Sequence, residues 1–278
     1  METVAFYSYK GGVGRSMLLA YAARFLAKLG KGVVALDFDF EAPGLHYKLG
    51  ADQGPGSPAF VGGAVPYLIA TAKGAESPPP LSDHMIVLGH GAGGQGWLWL
   101  MPAGPAPDKT YWVALKKLGD TLRLGDPSGQ GLMALLDMQA RIADELKPDY
   151  LLIDARTGVT EIGGLATTLL ADTVVCMFAA NQESLDGTLK VVEALESAPR
   201  LTGQKPIRLV WVLSRMNVPH SRVTDLVKES IRDAGHANPT FFVLPHEEMD
   251  PSEKLDVFSP LWIVYEELFR RLFTTALS

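Results

Sequence analysis

Short apolar segments alternate with longer segments of helical periodicity along most of the chain. The apolar segments are rich in β-branched and aromatic residues, as strands are, and lie at 3–8, 32–39, 97–101, 149–155, 173–179, 207–214 and 240–245. Because their apolar residues are nearly continuous, we predict that these strands are buried on both faces. The pattern therefore predicts an α/β fold, with a mostly parallel twisted β-sheet flanked by helices.

The segments between these strands show the apolar spacing of helices. Residues 15–29 place apolar side chains three or four positions apart, and Gly30 follows as a C-terminal cap. Residues 131–146 and 184–197 have the same kind of spacing. We therefore predict helices at all three places, each connecting two strands of the sheet.

The C-terminal segment 259–278 predicts a last helix with one apolar side. Its other side pairs Glu266 with Arg270 and Glu267 with Arg271, four residues apart. Helices that lie on membrane surfaces are usually rich in Lys and Arg on the polar side, whereas this side is neutral overall. We expect the helix to pack on the sheet; association with a membrane through it is the alternative.

Residues 51–130 interrupt the alternation with loops rich in Gly and Pro. Their apolar periodicity is too weak to build a separate core, so we predict a single domain over residues 1–278 with an elaboration at about 51–130. The Gly-rich stretch 89–96 is followed by no helix, and we interpret it as a turn between two strands.

Composition and charge narrow the choice of partners. The chain has 278 residues, 47% of them apolar, which is enough for one large domain. Its net charge of -6 provides no general attraction for nucleic acid. Residues 200–232 contain more Lys and Arg than Asp and Glu. We interpret this segment as a mixed solvated surface, and nonspecific DNA binding is the alternative.

The remaining composition points to the cytoplasm. Cys176 is the one cysteine, so no disulfide or cysteine-ligated metal cluster forms within the chain. The N-terminus lacks the basic and apolar regions of a signal peptide, and no apolar run is long enough to span a membrane. We therefore predict a cytoplasmic protein.

The stretch YKGGVGRS, residues 9–16, has the character of a phosphate-binding loop. It follows a predicted strand and opens a predicted helix, the context in which a Gly-rich loop binds phosphate. Gly11, Gly12 and Gly14 allow successive N–H groups to point at one anion, and the helix N-terminus adds its dipole. Ser16 is placed to bind Mg²⁺. A tight turn without a ligand is the alternative.

The segment KGGVGRS resembles the deviant Walker A loop of the MinD/ParA group of P-loop ATPases. The resemblance implies a P-loop NTPase fold of the SIMIBI, MinD-like class, with ATP and Mg²⁺ as cofactors. In that group the early lysine, here Lys10, reaches across to the partner's phosphates in the ATP-bound dimer. The implied nucleotide-binding residues in this loop are Lys10, Gly11, Gly12, Val13, Gly14, Arg15, Ser16 and Met17.

Other segments extend the resemblance over residues 1–50 and 145–278. VVALDFDFEAPGL (33–45) and DYLLIDARTG (149–158) are similar to the segment after the second strand and to Walker B. By resemblance Asp39 positions the attacking water, while Asp37 and Asp154 lie near the metal, through water. Hard cations prefer carboxylate oxygen and water, which suits Asp154 at a strand end. Asp37 has a second interpretation, as a cap of the strand end.

Three further segments resemble the remainder of the nucleotide-binding face. AANQESLDGT (179–188) is similar to a strand-to-helix segment near the dimer interface. LSRMNVP (213–219) and VLPHEEMD (243–250) resemble the two segments on the adenine side, and they imply Asn217 and Pro245 as nucleotide-binding residues.

Arg15 stands where an ordinary loop has lysine, and its side chain determines which activity we expect. Arginine keeps the charge but is longer and forked, so nucleotide binding should survive. Hydrolysis is more sensitive, because transition-state stabilisation depends on the exact placement of donors. Our hypothesis is a slow Mg²⁺-dependent ATPase in which Lys10, Arg15 and Asp39 are catalytic. The alternative is a protein that senses ATP without turnover.

The whole pattern of motifs is similar to KGGVGR-type ATPases of bacteria, which tend to be found with signalling or conflict modules. The resemblance implies an ATP-dependent homodimer that acts as a switch, with a protein partner or activator still to be identified. A catalytically weak scaffold subunit of a signalling or defence assembly is the other hypothesis.

Overall fold

The computed structural model describes residues 1–51, 60, 62–72, 78–90, 96–105, 108–122, 130–155, 157, 169–198, 205–216, 222–246 and 261–274. These residues form an eight-stranded sheet with the order β3-β4-β2-β5-β1-β6-β7-β8. The strands are β1 (Glu2–Ser8), β2 (Gly32–Phe38), β3 (Ile86–His90), β4 (Trp97–Met101), β5 (Tyr150–Ala155), β6 (Thr173–Ala179), β7 (Arg208–Met216) and β8 (Thr240–Pro245).

The sheet is parallel except at one edge, where β3 runs antiparallel to β4. The predicted α/β class and mostly parallel sheet are confirmed. β3 is a strand that the sequence analysis did not predict. It ends at His90 and β4 begins at Trp97, so two strands flank the Gly-rich stretch as expected. Residues 91–95 of that stretch lie outside the described residues.

Helices cover both faces of the sheet. They are α1 (Arg15–Lys28), α2 (Leu45–Lys48), α3 (Ala64–Ala72), α4 (Lys109–Leu122), α5 (Gln130–Arg141), α6 (Gln182–Ser197), α7 (Arg222–Asp233) and α8 (Leu261–Leu272). The predicted helices match α1, α5 with its π-helical extension Ile142–Leu146, α6 and α8, whereas α2, α3, α4 and α7 were not predicted.

Alternate residues along the central strands enter two separate apolar cores. On β1, Ala5 and Tyr7 point into one core, which also contains side chains of α3, α5, α6 and α7. Val4 and Phe6 point into the other core, which contains side chains of α1 and α8. This alternation follows from strand geometry and explains why the strands are apolar throughout. Apolar side chains therefore cover both faces of the sheet, while the buried carboxylates Asp37 and Asp154 lie next to the ends of β2 and β5.

The described parts of residues 51–130 belong to the same sheet as the strands before and after them. β3 and β4 extend the sheet beyond β2, and Tyr67 of α3 is fully buried beside Leu135 of α5. Tyr111 of α4 is also buried, and its hydroxyl donates to the carbonyl of Phe40 at 2.7 Å. The described parts of this segment thus contribute side chains to both cores of the protein.

The C-terminal helix α8 packs on α1. Its ring contacts join Tyr265 to Tyr21 at 4.7 Å and Phe269 to Phe25 at 5.4 Å between centroids. Phe269 is fully buried, and the apolar side of the helix is therefore occupied by the protein itself. No helix within the described ranges has the length and apolarity needed to cross a membrane.

Arg208 and Arg215, two of the basic residues of 200–232, lie far apart on one strand. Arg208 begins β7, where it contacts Glu2 at 3.5 Å, and Arg215 lies close to the opposite end of the same strand. At about 3.3 Å per residue, the two are roughly 23 Å apart. Lys228 of α7 lies over the ring of Phe241. The mixed solvated surface and the alternative of nonspecific DNA binding both stay predictions.

Candidate functional site

The Gly-rich loop lies between β1 and α1 at the carboxyl edge of the sheet. Gly12 and Gly14 adopt φ angles of 76° and 84°, which residues with a side chain rarely adopt. A Cβ at Gly14 would meet nothing within 4 Å, so its conformation and not crowding explains the glycine. α1 begins at Arg15 without a side-chain cap. Its first N–H groups therefore remain available to an anion in front of the loop.

The other loop residues divide between the core and the surface. Val13 and Met17 are buried among the side chains beneath the loop, while Gly11 is exposed. Val13 and Met17 can therefore bind a nucleotide only through their backbone groups. Their assignment as nucleotide-binding residues stays a prediction.

Arg15 turns inward and binds two carboxylates. Its Nε donates to Asp154 Oδ1 at 2.5 Å and its Nη2 to Asp39 Oδ2 at 2.8 Å. The side chain is 6% exposed, against 1% for Asp154 and 16% for Asp39. Burial lowers the pKa of Arg15, but the charges of Asp154 and Asp39 outweigh it and raise that pKa. The guanidinium is thus the counter-ion of the carboxylates at this end of the sheet.

Asp37 lies next to Asp154 on neighbouring strands and is fully buried. Its carboxylate accepts the backbone N–H groups of Asp39 at 3.1 Å, Gly44 at 3.2 Å and Leu45 at 3.1 Å. Burial, followed by the charge of Asp154, raises the pKa of Asp37 to about 8. These contacts match its interpretation as a cap, which holds the loop between β2 and α2. A water-mediated contact between Asp37 and a metal stays a prediction.

The groups around Asp154 fit a hydrated divalent cation. Ser16 hydrogen-bonds to the carboxylate of Asp154. Burial raises the pKa of Asp154, although the charge of Arg15 acts in the opposite direction. No three His, Cys, Asp or Glu side chains of the described residues converge on one metal position. Mg²⁺ characteristically keeps several waters and takes few protein ligands beside phosphate oxygens. The arrangement therefore suits Mg²⁺ held by the Ser16 hydroxyl, with carboxylates reached through water.

Lys10 lies at the surface and forms an ion pair that the sequence analysis did not identify. Its Nζ is 2.6 Å from Oε1 of Glu183, in the first turn of α6. The two side chains are 46% and 71% exposed, and the contact raises the pKa of Lys10. The segment of α6 is also held by its cap, because Asn181 Oδ1 accepts the N–H of Ser184 at 2.9 Å. Lys10 is thus held toward α6 and away from Arg15.

Tyr9, which precedes Lys10, packs directly on Gly187 of α6. A Cβ at Gly187 would overlap the Tyr9 ring, and no other residue type fits there without displacing it. The Lys10 ammonium lies 5.7 Å from the same ring. Gly187 therefore explains how a bulky residue is accommodated at the start of the loop, which the sequence did not reveal.

We expect Gly187→Ala to destabilise the protein, because the added methyl group must displace the Tyr9 ring. The expected cost is about 1–3 kcal/mol in the free energy of unfolding. In a Tyr9→Ala background the overlap is gone, and the same change should stabilise the helix by about 1 kcal/mol. Urea unfolding of the four proteins measures both effects. An equal effect of Gly187→Ala in the two backgrounds would contradict the contact.

The predicted adenine side is described in part. Pro245 ends β8, while Asn217 lies outside the described residues. The guanidinium of Arg215 contacts the carbonyl of Gly12 at 2.8 Å and the ring of His246, the residue after Pro245, at 3.2 Å. The sequence analysis assigned no role to Arg215 or His246. Their contacts depend on the curvature of strands that are distant along the chain, so no local pattern signals them.

Comparisons with known proteins agree with this geometry. The family model of the CobQ/CobB/MinD/ParA nucleotide binding domain, CbiA, matches residues 4–253. A comparison with curated proteins found no match.

Solved structures with the same fold include a MinD, an McdA variant and a partition protein. The septum site-determining protein MinD from Pyrococcus horikoshii OT3, complexed with Mg-ADP, has a TM-score of 0.65 and 16% identity, with 99% of this chain and 97% of that chain covered. An McdA variant from Cyanothece in complex with ATP has a TM-score of 0.66 and 18% identity, with 100% and 96% covered. A putative plasmid partition protein from Borrelia burgdorferi B31 bound to AMPPNP has a TM-score of 0.66 and 17% identity, with 99% of each chain covered.

These matches confirm the MinD-like P-loop NTPase fold that the sequence predicts. The phosphate loop, the carboxylates at the strand ends and a family match over most of the chain lead to one assignment: the chain belongs to the CobQ/CobB/MinD/ParA nucleotide binding domain family.

Proposed function

We propose that the protein is a slow, Mg²⁺-dependent ATPase that forms a homodimer when it binds ATP. The observation behind this proposal is the position of Arg15, which pairs with Asp39 and Asp154 directly beside the Gly-rich loop. A cation, two carboxylates and a phosphate-binding loop are the groups that phosphoryl transfer to water requires. Mg-ADP and ATP in two solved structures of the same fold support these ligands.

The loop residues have separate parts in this proposal. The N–H groups of residues 11–17 bind phosphate oxygens, and Arg15 neutralises charge on the terminal phosphates. Ser16 would hold Mg²⁺, with Asp154 and Asp37 reached through water, and the ion would supply further charge neutralisation. Asn217 and Pro245 bind the base.

Asp39 has the role of orienting the attacking water. Its carboxylate is 16% exposed, more than that of Asp154, and so remains accessible at the surface of the site. In the reaction the water oxygen forms a bond to the terminal phosphorus while the bond to the bridging oxygen breaks. The products are ADP and phosphate.

Arg15 makes slow hydrolysis more consistent with the site than fast hydrolysis. To reach a phosphate, the guanidinium must leave one or both carboxylates that it binds at 2.5 and 2.8 Å. The cost of breaking these contacts opposes the rearrangement that catalysis needs. The same contacts support a second candidate, an ATP-sensing scaffold that binds nucleotide without turnover.

Phosphate release by the purified protein with ATP and Mg²⁺ separates the two candidates. We expect slow release from the wild type and a decrease of about 100-fold or more in Asp39→Ala, in line with the loss of a positioned acid–base group. Asp233→Ala, at the exposed end of α7, is the control and should match the wild type. ATP binding by calorimetry without any difference in phosphate release would favour the scaffold.

A further inference from the structure

Arg215 has a backbone conformation that is unusual for its residue type. Its φ angle is 60°, and among the described non-glycine residues only Lys147 shares a positive φ, at 50°. Lys147 follows a helical segment, where this conformation is common, whereas Arg215 lies within a strand. Left-handed backbone within a strand is unfavourable for a long side chain, and such positions concentrate at functional sites.

An irregularity in the sheet produces this conformation. The pairing of β7 with β8 is regular as far as Leu213 and Val243, and then shifts before Met216 and Pro245. On its other side β7 keeps its regular pairing with β6 through Ser214. A bulge of this kind bends its strand locally and redirects a side chain. Here it directs the Arg215 side chain toward the Gly-rich loop and toward the residue that follows β8.

The guanidinium of Arg215 joins three segments. Its Nη1 donates to the carbonyl oxygen of Gly12 at 2.8 Å, and its Nη2 lies 3.2 Å from Nε2 of His246. His246 follows β8 and its N–H donates to the carbonyl of Met216 at 3.0 Å. The ends of β7 and β8 are thus tied to each other and, through Arg215, to the residue at the left-handed turn of the loop.

We propose that Arg215 is a positioning residue for the nucleotide, acting through Gly12. The proposal rests on the proposed ATP-binding function. When the carbonyl of Gly12 is held from outside, the N–H groups of the loop point toward the phosphates, and less order has to be gained on binding. The segments that Arg215 connects are those predicted to hold the base. Seating the base and ordering the phosphate loop are therefore coupled through one side chain.

Arg215→Gly separates this role from a purely structural one. Glycine relieves the left-handed conformation but removes the guanidinium, so stability and affinity should change differently. Without nucleotide we expect the Tm to be equal to or higher than that of the wild type. We expect the Kd for ATP with Mg²⁺ to increase about tenfold, because the loop must then be ordered when the nucleotide binds.

Lys147→Gly is the matched control. It relieves the same backbone conformation at an exposed position outside the loop and the strand ends. We expect its Tm to respond in the same direction as that of Arg215→Gly, while its Kd for ATP stays equal to the wild-type value. This control shows whether a new glycine at a position with positive φ changes the affinity for ATP in general.

Calorimetry with ATP and Mg²⁺ and thermal unfolding without nucleotide, on the full chain, decide the outcome. An unchanged Kd in Arg215→Gly overturns the proposal, and so does a Tm that decreases together with affinity. If the wild type itself does not bind ATP, that result contradicts the proposed ATP-binding function as a whole. It is distinct from a result that contradicts only the role of Arg215. Arg215→Gln keeps a hydrogen-bond donor without the charge, and we expect it to retain most of the affinity for ATP. Complete loss of ATP binding in this variant would indicate that Arg215 contacts phosphate directly. That result would overturn the proposed action through Gly12.

Discussion

Lys10→Ala is expected to abolish ATP-dependent dimerisation and to reduce phosphate release to the background of a blank. A cation supplied by a partner subunit is typically worth 10³–10⁵ in the rate of phosphoryl transfer. Lys10 is suited to that role because it is 46% exposed and lies at the edge of the loop, outside the Arg15 cluster. Its present partner, Glu183, is an exposed carboxylate, and exposed ion pairs contribute little to stability. Lys10 can therefore leave Glu183 and contact the nucleotide of a partner subunit at little cost in free energy.

Light scattering, which measures the mass in solution, tests this prediction with ATP and Mg²⁺. The Asp39→Ala background gives the most direct test, because hydrolysis is slow there. The mass should rise toward twice the 30.0 kDa of one chain, and Lys10→Ala should prevent the rise. Lys28→Ala, which removes another exposed lysine, is the control. Glu183→Gln releases Lys10 and should shift dimerisation to lower ATP. A protein that is equally dimeric without nucleotide would contradict the switch.

Arg15→Ala is expected to destabilise the fold as well as to eliminate ATP binding. Asp154 is 1% exposed, and without Arg15 its carboxylate remains buried without its main counter-ion. Breaking a buried ion pair in this way costs about 3–5 kcal/mol. Asp37, next to Asp154, is fully buried and provides no positive charge that could replace Arg15. Urea unfolding measures the stability, and calorimetry measures ATP binding.

Arg15→Lys is the matched variant for this prediction. Lysine keeps the charge but cannot contact Asp39 and Asp154 with a planar fork, so we expect part of the stability and all of the ATP binding to return. Because lysine leaves the carboxylates more readily, phosphate release should be at least as fast as in the wild type. An unfolding free energy of Arg15→Ala equal to that of Arg222→Ala, an exposed arginine, would contradict the role of Arg15 as counter-ion.

The strands of the sheet other than β3 were predicted from sequence with small errors in their ends. β4, β6 and β8 match the predicted ranges, and β7 extends two residues further, to Met216. Their apolar runs are long because helices cover both faces, and such runs are visible without any tertiary information. β3 was missed because it is a short antiparallel edge strand with only one neighbour, in which a glycine interrupts the apolar run.

Several helices could not be predicted from the local sequence pattern alone. α1 was predicted because its apolar positions recur regularly and a glycine terminates it. α3 and α4 lie in the Gly- and Pro-rich segment, and their residues Tyr67 and Tyr111 are buried only because α5 and the loop after β2 lie against them. α7 is mostly polar, with Thr224, Val227 and Ile231 as its buried positions. A stripe of this width is too narrow to identify a helix from sequence.

The sequence predicted which residues belong to the candidate site, but it did not predict the contacts that these residues make with one another. The letters of YKGGVGRS indicated a phosphate loop, because closely spaced glycines and cations between a strand and a helix are typical of phosphate binding. The sequence suggested that Arg15 reaches phosphate, whereas in the structure it binds Asp39 and Asp154. Arg15 and Asp154 are 139 residues apart in sequence, and only the pairing of β1 with β5 brings them together.

The sequence by itself determined the class of fold, the phosphate loop and the family resemblance, because each depends on residues that are close along the chain. The tertiary structure alone decided which charges meet: Arg15 with two carboxylates, Lys10 with Glu183, and Arg215 with the carbonyl of Gly12. The physical reason is the parallel sheet. It collects the carboxyl ends of distant strands at one edge, and the register and bulges that place each side chain there arise from packing between strands.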